Sequence, residues 1–165
     1  MDKRWIAAVA LVGGVSIVGY ALFSRKTPEE QIREQLARLA KVVHVGEEAE
    51  NPVMRATRLN GEFQDLFDKD VHAEIPEISG PLENRKDLLQ LAARANVWVR
   101  TLDVDFSRLD VEPGQTSASA EGPVQLSGVR SDGTPEHGER RVHFRFSKID
   151  SEWKIHSVRV EPPEE

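Results

Sequence analysis

The chain has 165 residues, 39% hydrophobic and 30% charged, with a formal net charge of −6 and no cysteine. That length holds one ordinary domain plus an appendage, and the lack of cysteine excludes disulfides, thiolate metal sites, thiol nucleophiles and lipid attachment through cysteine. With Asp2, Lys3, Arg4, Arg25 and Lys26 set aside from the 28 acidic and 22 basic residues, the remainder carries −9, an acidic surface that repels phosphate backbones and disfavours nucleic acid as a partner.

The first element is apolar. Nineteen residues from Trp5 to Phe23 carry no charge, and as a helix they span roughly 28 Å, close to the ~30 Å hydrocarbon core of a bilayer. Trp5 and Tyr20 stand near the two ends, where amphipathic rings favour the headgroup level, and Lys3, Arg4, Arg25 and Lys26 bracket the run. Residues 1–26 are therefore expected to be a membrane anchor, with a single transmembrane helix at about 5–23 and the lipid bilayer as its partner. A cleaved signal peptide, with small residues Gly19 and Ala21 at its end, is the alternative. The short tail bearing Lys3 and Arg4, set against Glu29 and Glu30 on the other side, places the N-terminus inside and the following domain outside the cytoplasm.

Thr27-Pro28-Glu29-Glu30 is a helix start, with Thr27 as N-cap and Glu30 completing a capping box. Ile32, Leu36, Leu39, Ala40 and Val43 continue at helical spacing to about residue 45. Asn51-Pro52 repeats the start signal before a second stripe of Ala56, Leu59, Phe63, Leu66 and Phe67. Val71, Ala73 and Ile75 alternate in a short strand ended by Pro76, Ser79-Gly80-Pro81 turns, and Leu88, Leu91, Ala92, Ala95 and Val99 mark a third helix ending near Trp98.

From there the period changes to two. Leu102, Val104 and Phe106 alternate with Asp103 and Asp105, but Leu109 and Val111 fall one step out of phase, which predicts a bulge near Arg108 and a bent strand. Ala118, Ala120, Val124 and Leu126, then Val142, Phe144 and Phe146, then Trp153 to Val160 make further strands, separated by turns at Ser131-Asp132-Gly133 and Asp150-Ser151. The fold class is α+β over residues 27–161, followed by a short acidic tail, 162–165. Trp98 and Trp153 are expected as packing anchors.

Taken together, the element order, the Gly80 turn into the third helix, the bent strand after it and the closing Ser151-Glu152-Trp153-Lys154-Ile155 resemble the nuclear transport factor 2-like superfamily, including its SnoaL-like and ketosteroid-isomerase-like branches. The resemblance implies a cone in which a strongly curved antiparallel sheet wraps three helices. It also implies where catalytic acids of the isomerase branch would stand. The general base would be at Ile75, before Pro76, and the oxyanion-binding acid at Val142, before His143-Phe144-Arg145-Phe146. Both positions are apolar, and the sole tyrosine, Tyr20, lies in the apolar N-terminal run, so enolising chemistry lacks its base and its stabiliser.

None of the five histidines, His44, His72, His137, His143 and His156, has the spacing of a metal site, and no cofactor is implied. Should the strand faces be reversed, His72 and His156 are the acid–base candidates. Two readings follow. The leading one is a membrane-anchored, non-catalytic interaction or assembly module that meets a second copy or a membrane protein through the sheet's outer face, where alternation puts Asp103, Asp105, His143 and Arg145. The alternative is a pocket for a small apolar ligand, or a SnoaL-like enzyme of isomerase, dehydratase or cyclase type, lined by Ile75, Leu102, Ala118, Val142 and Phe144. A filled cone favours the first; an open cavity of roughly 300 Å³ or more with a convergent polar group favours the second.

Overall fold

A computed structural model of the chain describes residues 26–48 and 50–163. The apolar run from Trp5 to Phe23 lies outside the described residues, and among the described residues no helix is long and apolar enough to cross a membrane.

The helix starts are built as the capping chemistry dictates. Helix α1, Pro28–Val43, begins with a reciprocal box: Thr27 Oγ1 accepts from the Glu30 amide at 3.2 Å, and Glu30 Oε2 accepts from the Thr27 amide at 2.7 Å. Helix α2, Pro52–Leu66, begins on Asn51, whose side chain accepts from the Val53 amide at 2.9 Å. Helix α3, Arg85–Trp98, begins on Asn84, bonded to the Asp87 amide at 3.0 Å. Helix α1 turns Ile32, Leu36, Leu39 and Val42 inward. On α2 the inward set is Arg55, Leu59, Phe63 and Leu66, whereas Ala56 is exposed. The apolar stripe of α2 therefore starts on an arginine.

Six strands form one mixed sheet: β1 Phe67–Glu74, β2 Val99–Asp105, β3 Asp110–Glu112, β4 Ser117–Arg130, β5 Pro135–Ile149 and β6 Glu152–Val160. The order is β1-β6-β5-β4-β2, with β3 also on β4. All pairs are antiparallel except β1 with β6, which corrects the purely antiparallel expectation. The direction of β6 is set by its hairpin with β5, and β1 emerges straight from the end of α2, starting at Phe67 rather than Val71, so it meets β6 running the same way.

The phase slip after Phe106 is a break, not a single-residue bulge. Asp105 pairs with Gln125 and Asp110 with Glu121, so one extra residue on this side is taken up by a turn in which the Leu109 amide bonds Phe106 O. Opposite that turn is Gly122 at φ +144°, where a Cβ would stand 3.1 Å from Arg108 O. Only glycine fits there without strain. The β5–β6 hairpin turns on Asp150 and Ser151, both at positive φ, as two-residue hairpins of primed type require.

Both edges of the sheet are touched by neighbouring backbone. Val45, after α1, exchanges backbone bonds with Leu102 of β2, and Leu82 does the same with Ala73 of β1, so each edge is met at one position. The two edge strands β1 and β2 both pack on α3. The sheet must curl around that helix for this to happen, and the curl makes the space between helices and sheet a cone. Its closed end is dense: Ile32, Leu59, Leu66, Phe146, Trp153 and Ile155 are all essentially removed from solvent.

Candidate functional site

The other end is open. None of the described side chains of α3 is fully buried: Leu88 and Ala92 touch the core cluster, and with Leu91 and Ala95 they line a cavity of about 680 Å³. The opposite wall is the concave face of the sheet, with Leu102 and Val104 from β2, Leu126 from β4, Val142 and Phe144 from β5, and Val158 and Val160 from β6. Phe106 and Phe144 form its floor, edge to face with centroids 5.5 Å apart. Ala92 and Ala95 leave part of the space between α3 and the curled sheet unfilled. Small side chains cannot reach across the gap.

Of the residues expected around a ligand, Ile75, Leu102, Val142 and Phe144 stand together in this wall. Ala118 does not. It sits toward the other end of β4, paired with Phe146 and buried in the core cluster. The inward alternation was right, but the strand is 14 residues long and its first inward residues belong to the closed end. Trp98, expected to pack, is instead 53% exposed while lining the cavity. It closes α3, where the sheet's curl leaves no layer above it. Trp153 is only 2% exposed, with Lys148 over its ring.

Three charged residues reach the cavity wall. Arg140 and Glu77 pair with each other at 3.5 Å. The third, Arg55, is only 6% exposed. Its Nη1 lies 3.5 Å from Glu50, a long contact, and its Nε is buried with no acceptor. Glu50 is already bound by Arg58 through two bonds of 3.0 and 2.8 Å. Those bonds, against some desolvation, hold the Glu50 carboxyl below its ordinary value and raise Arg58. Sequence reasoning passed over Arg55. The signal was available, since residue 55 lies one turn before Leu59 and two before Phe63 on the inward face.

The outer face carries the other candidates. Asp103, Asp105, His143 and Arg145 share it with Ser119, Glu121, Gln125 and Ser127, their cross-strand partners on β4. Most of this charge is internally matched. Asp103 Oδ1 lies 2.8 Å from His44 Nδ1, and His143 sits between Glu121 and Glu161 at 3.0 and 2.5 Å. Asp105 accepts from Ser107, which holds its carboxyl below the usual range. His72 and His156 also lie outside the cavity wall, beside Glu74 at 3.3 Å and Asp68 at 3.2 Å. Among the described residues no cluster of three or more His, Asp or Glu is placed to hold a metal.

Solved structures share this architecture. A protein of the nuclear transport factor 2-like superfamily from Salmonella enterica superposes with a TM-score of 0.63 at 16% identity, over 81% of this chain and 89% of its own. The fold is nuclear transport factor 2-like. A proposed aromatic ring hydroxylase from Novosphingobium aromaticivorans gives 0.64 at 16% identity, over 82% and 91%. The association domain of calcium/calmodulin-dependent protein kinase II from C. elegans gives 0.58 at 12%, over 81% and 94%. No family model matches the chain, and no curated relative matches it. Identities this low establish fold alone.

Proposed function

We propose that the domain is a binding module for a small apolar molecule, held at a membrane by residues 5–23 on the extracytoplasmic side. The observation that carries it is the cavity: about 680 Å³ of space with a wall that is apolar apart from Arg55, Arg140 and Glu77, within the ~300–1,000 Å³ typical of ligand sites. A filled cone would have favoured an interaction module. Binding is favoured over catalysis because, among the described residues, the wall holds no histidine and one carboxylate, Glu77, already paired with Arg140. The positions that would carry isomerase acids, Ile75 and Val142, are apolar parts of that wall.

The test is calorimetric titration of 2-naphthamide, a neutral aromatic, into the full chain in lipid nanodiscs, with empty nanodiscs as blank. Saturable binding that Ala95→Trp abolishes supports the proposal; no binding, or binding that Ala95→Trp leaves intact, counts against it. The tether has its own check, since alkaline carbonate should leave the full chain with membranes.

Assembly through the outer face is a second reading. It draws support from the neighbour named as an association domain and from Arg145, exposed on that face. Sedimentation of the full chain in detergent, compared with Arg145→Glu, tests it.

A further inference from the structure

Resting on the cavity reading, the identity of the ligand's polar end can be taken further. A guanidinium buried in an apolar wall is costly unless its donors are met. Arg55 meets this poorly, with one long contact to Glu50 and a buried Nε that no protein group accepts from. Its one carboxylate neighbour is shared, and Arg58 holds it more tightly. Glu62 also bears on Arg58 and is itself held by Arg38, so what sets Arg55 apart is its buried Nε without an acceptor among the described residues. The other charges in the wall, Arg140 and Glu77, cancel as a pair.

We propose that the cavity takes an apolar carboxylic acid in its anionic form, with the carboxylate on the Arg55 guanidinium and the hydrocarbon or aromatic body along Leu91, Ala95, Leu102 and Leu126. A planar carboxylate matches the planar fork of arginine and can accept two parallel bonds. A carboxylate also supplies the acceptors that the buried Arg55 donors lack. A phosphate dianion would bring a second charge into an apolar enclosure with no cation to meet it. A pure hydrocarbon guest would fill the volume but leave the buried donors unmet, and a neutral amide would offer only one uncharged acceptor.

The experiment compares 2-naphthoate with its near-isosteric neutral analogue 2-naphthamide, titrated calorimetrically into the full chain in nanodiscs. The expected result is naphthoate binding at least about tenfold tighter than naphthamide, the range for hydrogen bonds to a charged group. Arg55→Met, which replaces the charge by an apolar side chain of similar reach, should remove that preference, bringing the ratio of the two affinities to within about twofold of one. Arg55→Lys, which keeps the charge without the fork, should retain part of the preference. Equal affinity of the parent for the two probes overturns the proposal and leaves the cavity reading standing, as does a preference that survives Arg55→Met. Failure of both probes to bind overturns both. The comparison on the parent protein decides the matter even if Arg55→Met does not fold.

Discussion

Helices α1 and α3 pack on the same sheet and reach opposite results. α1 buries Ile32, Leu36, Leu39 and Val42, the first two at the closed end and the last two within the cavity wall, whereas α3 has no described side chain fully buried. Both have apolar residues at helical spacing, so amphipathicity does not distinguish them. Residue size and the sheet's curl do: α1 offers Leu and Ile to Phe146, Trp153 and Ile155, while α3 offers Ala92 and Ala95 to a wall that has moved away. One end is packed, and the other leaves room for the proposed guest.

The comparison predicts unequal responses to substitution. The largest effect belongs to the closed end: Phe146→Ala should cost about 3–5 kcal/mol in denaturant unfolding, because the surrounding core cannot collapse into the void. At the boundary, Val142→Asp should cost roughly 2 kcal/mol or more, since a carboxyl placed in that buried setting is desolvated or neutralised; a variant as stable as the parent would mean the position is wet. Adding volume separates the ends further. Ala120→Leu, at a position with no exposure, should destabilise by about 1–3 kcal/mol. Ala95→Leu, facing open space, should change stability by less than about 0.5 kcal/mol. If the two leucines cost the same, the wide end is packed as tightly as the narrow one.

The smallest effect concerns pH. The Glu50 carboxyl is held below its ordinary value chiefly by the Arg58 hydrogen bonds, so its contribution is present above the unfolded carboxyl value of about 4.3 and is lost as pH falls through the lower folded value. Glu50→Gln should therefore lower the unfolding midpoint at pH 7 and narrow the gap to the parent at pH 3. A gap that widens toward acid would reverse the sign of the coupling.

Much of the fold was legible because it is written in local chemistry. Thr27-Pro28 and Asn51-Pro52 announce their helices through the amides they bond, and the out-of-phase Leu109 announces the break between β2 and β3 because side-chain direction in a strand has a strict period of two. The parallel pairing of β1 with β6 was not legible, since it depends on strands some 80 residues apart in sequence. The site was half legible. Alternation put Ile75, Leu102, Val142 and Phe144 on one wall, but it also put Ala118 there, because a pattern gives the face of a strand and not the position along a cone. The cavity itself is a difference between two surfaces, and no single segment encodes it. Arg55 was missed because an arginine on an apolar phase looks like a break in the stripe, when it is a charged group inside the wall.

The proposed guest site is the open end, not the outer face or the core. Nuclear Overhauser contacts between 2-naphthamide and the methyl groups of the full chain, selectively labelled in nanodiscs, test it most directly. The account predicts contacts to Leu88, Leu91, Ala95, Leu102 and Leu126, and none to Leu36, Leu59 or Ile155 at the closed end. Binding without contacts to the first group, or with contacts to Leu36, Leu59 or Ile155, would contradict it.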